Sequence, residues 1–116
     1  MFVDSHCHLT YEPLSSNLPE VLQKCKEAKV TNLLAIGTNI KSSTECSEIS
    51  NKYENIYSSI GIHPCESHIE VDRDIEIRSL YNSNNKNIGY GETGLDFFHS
   101  QEHKKRQIDL FETHIH

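Results

Sequence analysis

Residues 32–53, NLLAIGTNIKSSTECSEISNKY, decide the fold because they join one short apolar run to one helical stripe. The run LLAI, residues 33–36, carries no charge, as a strand covered on both faces requires. Beyond Gly37, Ser42 and Glu45 make an S-x-x-E capping box, and Cys46, Ile49 and Tyr53 then fall along one face of a helix. A strand leading straight into an amphipathic helix is half of a βαβ unit, which points to a parallel sheet.

The same alternation extends in both directions. Strands are expected to start near Phe2, Asn32, Ile56 and Ile88, spaced 30, 24 and 32 residues apart, close to the roughly 30 residues of a βαβ repeat. The run YSSIGI in the third also reads as a strand covered on both faces. Leu18, Val21, Leu22, Cys25 and Ala28 mark a first helix, with Asn17 as its N-cap and Pro19 tolerated in its first turn. A third helix covers Asp74 to Tyr81, with Ile77 and Leu80 inward, and ends in the polar loop NSNNKN. A fourth carries the stripe Ile108, Phe111, Ile115. The expected fold class is therefore α/β, about four parallel strands alternating with helices, as one structural unit over residues 1–116. A complete eight-stranded barrel needs ~250 residues, and this chain holds about half of that.

Composition narrows the function classes. A net charge of -6 excludes a general electrostatic trap for nucleic acid, so phosphate recognition has to be local, and a divalent metal would supply positive charge at one point. No apolar run approaches the roughly 18 residues that span a bilayer, no membrane partner is expected, and the N-terminus lacks a signal-peptide layout. The expected compartment is the cytoplasm. Cys7, Cys25, Cys46 and Cys65 form no C-x-x-C pair and read as reduced thiols.

In an α/β architecture the chemistry collects at the carboxyl ends of strands. Three strands end in reactive sequence: VDSHCHL, GIHP and GETGLDFF. Alternation points Asp4, His6 and His8 the same way, and two imidazoles two residues apart can grip one metal ion. Asp4 is placed to accept an imidazole proton and fix the tautomer. Glu92 ends an apolar strand between Gly91 and Gly94, where an unpaired carboxylate is expensive to bury and a metal resolves the cost. Asp96, of the same parity, either orients neighbours or contacts water at the metal. Pro64 holds His63 extended at the mouth, where it contacts phosphate or is a satisfied strand-end histidine. His114 and His116 stand some 200° apart on a helix and cannot share one ion. The run His103, Lys104, Lys105, Arg106 is either a solvated helix face or a contact to a DNA backbone.

DSHCHL, GIHP and GETGLDFF followed by QIDLF resemble, in order and spacing, the TatD family of metal-dependent hydrolases across essentially the whole chain. The resemblance implies a TIM-type (β/α)8 barrel of which this chain is expected to be the N-terminal half, cut before strand five, together with one or two divalent cations and hydrolysis of phosphodiester bonds in DNA from 3' ends or single strands. It carries His6 and His8 onto the first ligand pair, Glu92 onto the catalytic metal-bridging carboxylate and His63 onto the substrate histidine. Gln107 and Phe111 also match, Gln107 as support for the loop after strand four and Phe111 as core. The family's two later histidines and its water-activating aspartate fall beyond this sequence, which puts catalysis by this chain alone in doubt. Magnesium, manganese and zinc all accept such ligands. Two alternatives stay open: a metal-dependent ester or amide hydrolase such as a D-aminoacyl-tRNA deacylase, and a non-catalytic gene remnant or split-protein half. The last would pair with a complementing C-terminal half, or self-associate through open sheet edges.

Overall fold

The computed structural model describes residues 1–99 and 101–116. Four strands, β1 (Phe2–Cys7), β2 (Val30–Ile36), β3 (Ile56–Ile60) and β4 (Asn87–Tyr90), alternate with four helices, α1 (Leu18–Glu27), α2 (Ile40–Lys52), α3 (Asp74–Asn82) and α4 (Lys104–Ile115). The strands pair in parallel in the order β1-β2-β3-β4, so each crossover returns the chain to the neighbouring position. Strand starts fall within two residues of those read from the sequence. Among the described residues no helix is long and apolar enough to cross a membrane.

Two apolar clusters hold the helices to the sheet. Leu9, Leu18, Leu33, Ala35, Cys46 and Ile56 form the first, under α1 and α2, and Ile60, Ile62 and Ile77 the second, with Leu80 and Leu110 against it. Fully burying each such leucine or isoleucine stabilises the fold by about 1.5–3 kcal/mol relative to exposure. β3 is covered on both faces as expected, but two of its buried side chains are serines, Ser58 and Ser59. Ser58 donates to Asn87 Oδ1 at 2.6 Å and lies 2.9 Å from Ser50 Oγ, while Asn84 Nδ2 donates to Ser47 O and Ser50 Oγ. The loop NSNNKN is thus not merely polar and solvated: Asn84 and Asn87 are buried and close a hydroxyl-amide seam between α2 and β3. From the same loop, Lys86 Nζ donates to the carbonyls of Ser50 and Tyr53 at the end of α2, where a cation also complements the helix dipole.

Several local expectations are corrected. The capping box of α2 is Asn39 with Ser42, not Ser42 with Glu45. Asn39 Oδ1 accepts the Ser42 amide at 2.8 Å and Ser42 Oγ accepts the Asn39 amide at 3.1 Å, so the helix starts three residues earlier. Asn17 stands at the N-cap of α1 without a side-chain cap bond. The chain enters from a 3-10 turn at Ser15–Asn17, and Asn17 Nδ2 donates back to Pro13 O. On α4 the docked face is Gln107, Leu110 and His114, not Ile108, Phe111 and Ile115, because hydrogen-bonding groups rather than a stripe of carbon hold it. Ile108 and Ile115 are exposed and Phe111 is half-buried outside both clusters. β1 is exposed along nearly its whole length, because it is an outer strand with a neighbour on one side.

Candidate functional site

β1, β3 and β4 deliver their terminal residues to one end of the sheet. His6 Nε2 lies 3.3 Å from His8 Nε2, and these atoms stand 3.5 and 3.8 Å from Glu92 Oε2. The other carboxylate oxygen, Oε1, is 3.6 Å from His63 Nε2. The four side chains are partly exposed and open, through His8, His63 and Glu92, onto a cavity of about 310 Å³ that Tyr11, Thr38 and Cys65 also line.

Backbone contacts fix Glu92. Its amide donates to Gly37 O at 2.6 Å, Gly91 donates to Ile60 O, and Ser59 Oγ donates to Gly91 O. A Cβ on Gly61 would stand 2.6 Å from the Gly91 carbonyl carbon, so only glycine lets the turn before Glu92 lie flat on β3. A Cβ on Gly91 would meet the Thr93 amide nitrogen at 3.8 Å, an ordinary contact, whereas Gly94 has open space but a φ of +143° that favours glycine. GIHP thus contributes its glycine as well as its histidine.

The histidines are oriented separately. His8 stacks on Tyr11, with centroids 5.0 Å apart and planes 13° from parallel, and Tyr11 Oη is held by Thr38 Oγ1 at 2.6 Å. The Cys65 amide donates into His63 Nδ1 at 3.1 Å, so the neutral ring carries its proton on Nε2 and turns a donor towards Glu92. Asp4 does not accept from an imidazole. Its Oδ1 takes the His6 backbone amide at 3.1 Å, which pins the end of β1 instead. Parity did not give the partner of the Asp4 side chain.

Asp96 stands with His63 and Cys65, apart from the His6–His8–Glu92 group. Its Oδ1 accepts the amides of Phe98 and His99, and Oδ2 lies 2.7 Å from His99 Nδ1. The bonds from His99, its amide first and then its ring, hold the Asp96 carboxyl down at about 2. Asp96 therefore orients the loop after β4. Gln107 supports that loop as expected, accepting from the Asp96 amide at 2.7 Å and donating to the Asp96 carbonyl at 3.0 Å. His114 is separate from the site: Nδ1 donates to Leu110 O and Nε2 accepts from the Ile62 amide. In the basic run Lys105 pairs with Asp109 and Lys104 lies over the Phe97 ring. Sequence reasoning missed Tyr11, Thr38, Gly37 and Gly61. The first two meet across 27 residues, a contact no local pattern announces.

The donor set fits a divalent cation. Two Nε2 atoms 3.3 Å apart beside a carboxylate oxygen put lone pairs face to face unless a proton or cation lies between them. In a tetrahedral site with metal–nitrogen bonds of about 2.0–2.1 Å, neighbouring ligand atoms stand about 3.3–3.4 Å apart. His6, His8 and Glu92 would hold the ion, with Oε1 of Glu92 left facing His63.

A parallel α/β sheet that gathers imidazoles around one carboxylate at its strand ends defines the class: a barrel-type chain with a donor set suited to a divalent ion. The sequence model of the TatD related DNase family matches residues 3–116, and the chain belongs to that family. An uncharacterized metal-dependent hydrolase of Buchnera aphidicola is 35% identical over 97% of this chain and 46% of its own length. The uncharacterized metal-dependent hydrolase YcfH of Escherichia coli is 33% identical over 97% of this chain and 43% of its own. The crystal structure of YjjV, a TatD homolog from Escherichia coli, superposes with a TM-score of 0.89 at 26% identity, covering 98% of this chain and 45% of that one. An uncharacterized amidohydrolase from Saccharomyces cerevisiae shares the fold at a TM-score of 0.72 and 21% identity. The chain spans a little under half the length of these relatives, as the first four strands of an eight-stranded barrel do.

Proposed function

We propose that this chain forms the N-terminal half of a metal-dependent phosphodiesterase acting on DNA, most directly on single strands or 3' ends. The observation that carries the reading is the division of Glu92, with Oε2 facing His6 and His8 and Oε1 facing the proton-bearing Nε2 of His63. A divalent ion bound there supplies the charge that activates water and offsets charge on a phosphoryl oxygen. His6, His8 and Glu92 would hold it, and His63 would donate from Nε2 to a phosphate oxygen. Asp4 and Tyr11 keep His6 and His8 in place. The net charge of -6 supports local rather than surface-wide recognition of the strand. The free thiols of Cys7, Cys25, Cys46 and Cys65 fit a reducing, cytoplasmic setting.

The partner chemistry is a complementing C-terminal half-barrel, since β1 and β4 are both outer strands and expose Phe2, Val3, Ile88 and Tyr90. The test mixes the purified chain with the C-terminal half of a related enzyme and follows metal-dependent nucleotide release from single-stranded DNA. Release that Glu92→Ala abolishes supports the reading. Hydrolysis of an aminoacyl-tRNA ester with no release from DNA would move the substrate to the second reading, for which the relatives' broad description as metal-dependent hydrolases leaves room.

A further inference from the structure

Next to the metal-ligand group, and sharing Cys65 with it as a wall, lies a second cavity of about 430 Å³ lined by His68, Phe98, His99, Gln101, Glu102 and His103. That size falls within the few hundred Å³ usual for small-ligand sites. His68 and His103, brought together from the segment after β3 and the start of α4, stack with centroids 4.5 Å apart and planes 7° from parallel. Phe98, 88% exposed, lines the cavity with its ring edge-on to His99.

The loop that displays Phe98 is held in place. Asp96 Oδ1 accepts the Phe98 and His99 amides, Asp96 Oδ2 engages the His99 ring, and Gln107 brackets the Asp96 backbone with two hydrogen bonds. The backbone that carries the outward phenyl is therefore pinned at Phe98 and His99. Among the described residues the lining contains no lysine or arginine and one carboxylate, Glu102, which makes it a poor phosphate pocket. It offers π faces, and an amide and a carboxylate at Gln101 and Glu102. Those are the two things an unpaired nucleobase needs, a ring to stack on and groups for its polar edge.

We propose that this cavity is a base-binding subsite, in which an unpaired nucleobase stacks against Phe98 and the His68–His103 pair while the adjoining backbone runs past Cys65 towards His63 and Glu92. The assignment rests on the nucleic-acid reading above for its ligand, and it can fail separately from it. Stacking of this kind tolerates any base, so the subsite selects unpaired nucleotides rather than a sequence.

The chain contains no tryptophan, so Phe98→Trp places a single reporter in the cavity lining. The probes are a short single-stranded DNA, the same DNA with abasic sugars in place of its nucleotides, and the matching RNA. The expected result is saturable quenching by the DNA, absent with the abasic strand of equal charge. Phe98→Leu, which keeps the apolar bulk, should bind labelled DNA about 10-fold or more weakly by anisotropy, with an unchanged circular dichroism melt. Equal quenching by the abasic strand, quenching by none of the strands, or wild-type affinity in Phe98→Leu would overturn the subsite. Quenching by RNA but not DNA would keep the subsite and remove DNA as its source. Quenching that survives in Glu92→Gln while complementation yields no nuclease would sink the reaction and leave the subsite standing. Nuclease activity with no quenching would do the reverse.

Discussion

Glu92 presents one oxygen to His6 and His8 and the other to His63, so removing its carboxylate and removing one imidazole strip the same centre from opposite sides. In calorimetric titrations with zinc or manganese, Glu92→Ala and His6→Ala should each weaken binding by about 10-fold or more, since even the outer partners of metal ligands cost about that much. Identical isotherms for wild type and His6→Ala would reject the ligand set. The affinity of the unmodified chain should itself be weak, because three protein groups leave the remaining positions to water. These residues were legible in the sequence because imidazole and carboxylate at strand ends are few and chemically specific. The role of Asp4 was not, since alternation says which way a side chain leaves the strand and not which amide it meets. Gly61 was hidden for a related reason: its requirement comes from the Gly91 backbone 30 residues away.

At the scale of elements, strands and helices were readable wherever apolar spacing drives docking, as in β2, β3 and the face of α3 that buries Ile77. α4 was misread because its attachment is polar. Gln107 clasps the Asp96 backbone, and the buried His114 ring accepts the Ile62 amide only while Nε2 is bare. Burial pulls the His114 pKa below its ordinary 6.5. The unfolded chain therefore takes up a proton that the folded chain refuses, so the contribution of His114 is intact above about 6.5 and is lost as pH falls below it. Urea midpoints measured from pH 7.5 down to 5 should fall more steeply for wild type than for His114→Gln, which keeps an acceptor without titrating; parallel curves would refute this. The cap of α2 gives a sharper contrast. Asn39→Ala should cost about 0.5–2 kcal/mol in urea denaturation, while Glu45→Ala, which removes the partner assigned by the sequence pattern, should leave the midpoint in place.

For the whole molecule, the exposed outer strands set the behaviour in solution. β1 carries Phe2 and Val3 at 66% and 63% exposure on a strand with one edge unpaired, and such edges recruit other strands. Size-exclusion chromatography should show the chain alone as a self-associating species, and a C-terminal half-barrel should convert it to a 1:1 complex. A monodisperse monomer at high concentration would contradict this. The chain alone should release no nucleotides even with metal added, because misplacement of about 1 Å around a reacting phosphate already costs on the order of 100-fold. Two copies would supply the same His6, His8 and Glu92 twice and nothing new.

The tie from the Glu92 amide to Gly37 O reaches from the end of β4 to the end of β2, passing over the close of β3. Amide hydrogens in surface loops usually trade with solvent quickly, yet this one cannot do so until the turn lifts off the sheet. In deuterium exchange followed by NMR, Glu92 should be a slow island between faster neighbours, and its rate counts how often the mouth comes apart. Gly61→Ala, by wedging a methyl under Gly91, should quicken that rate without unfolding the strands beneath. Slow exchange that persists in Gly61→Ala would mean that the turn is held from elsewhere.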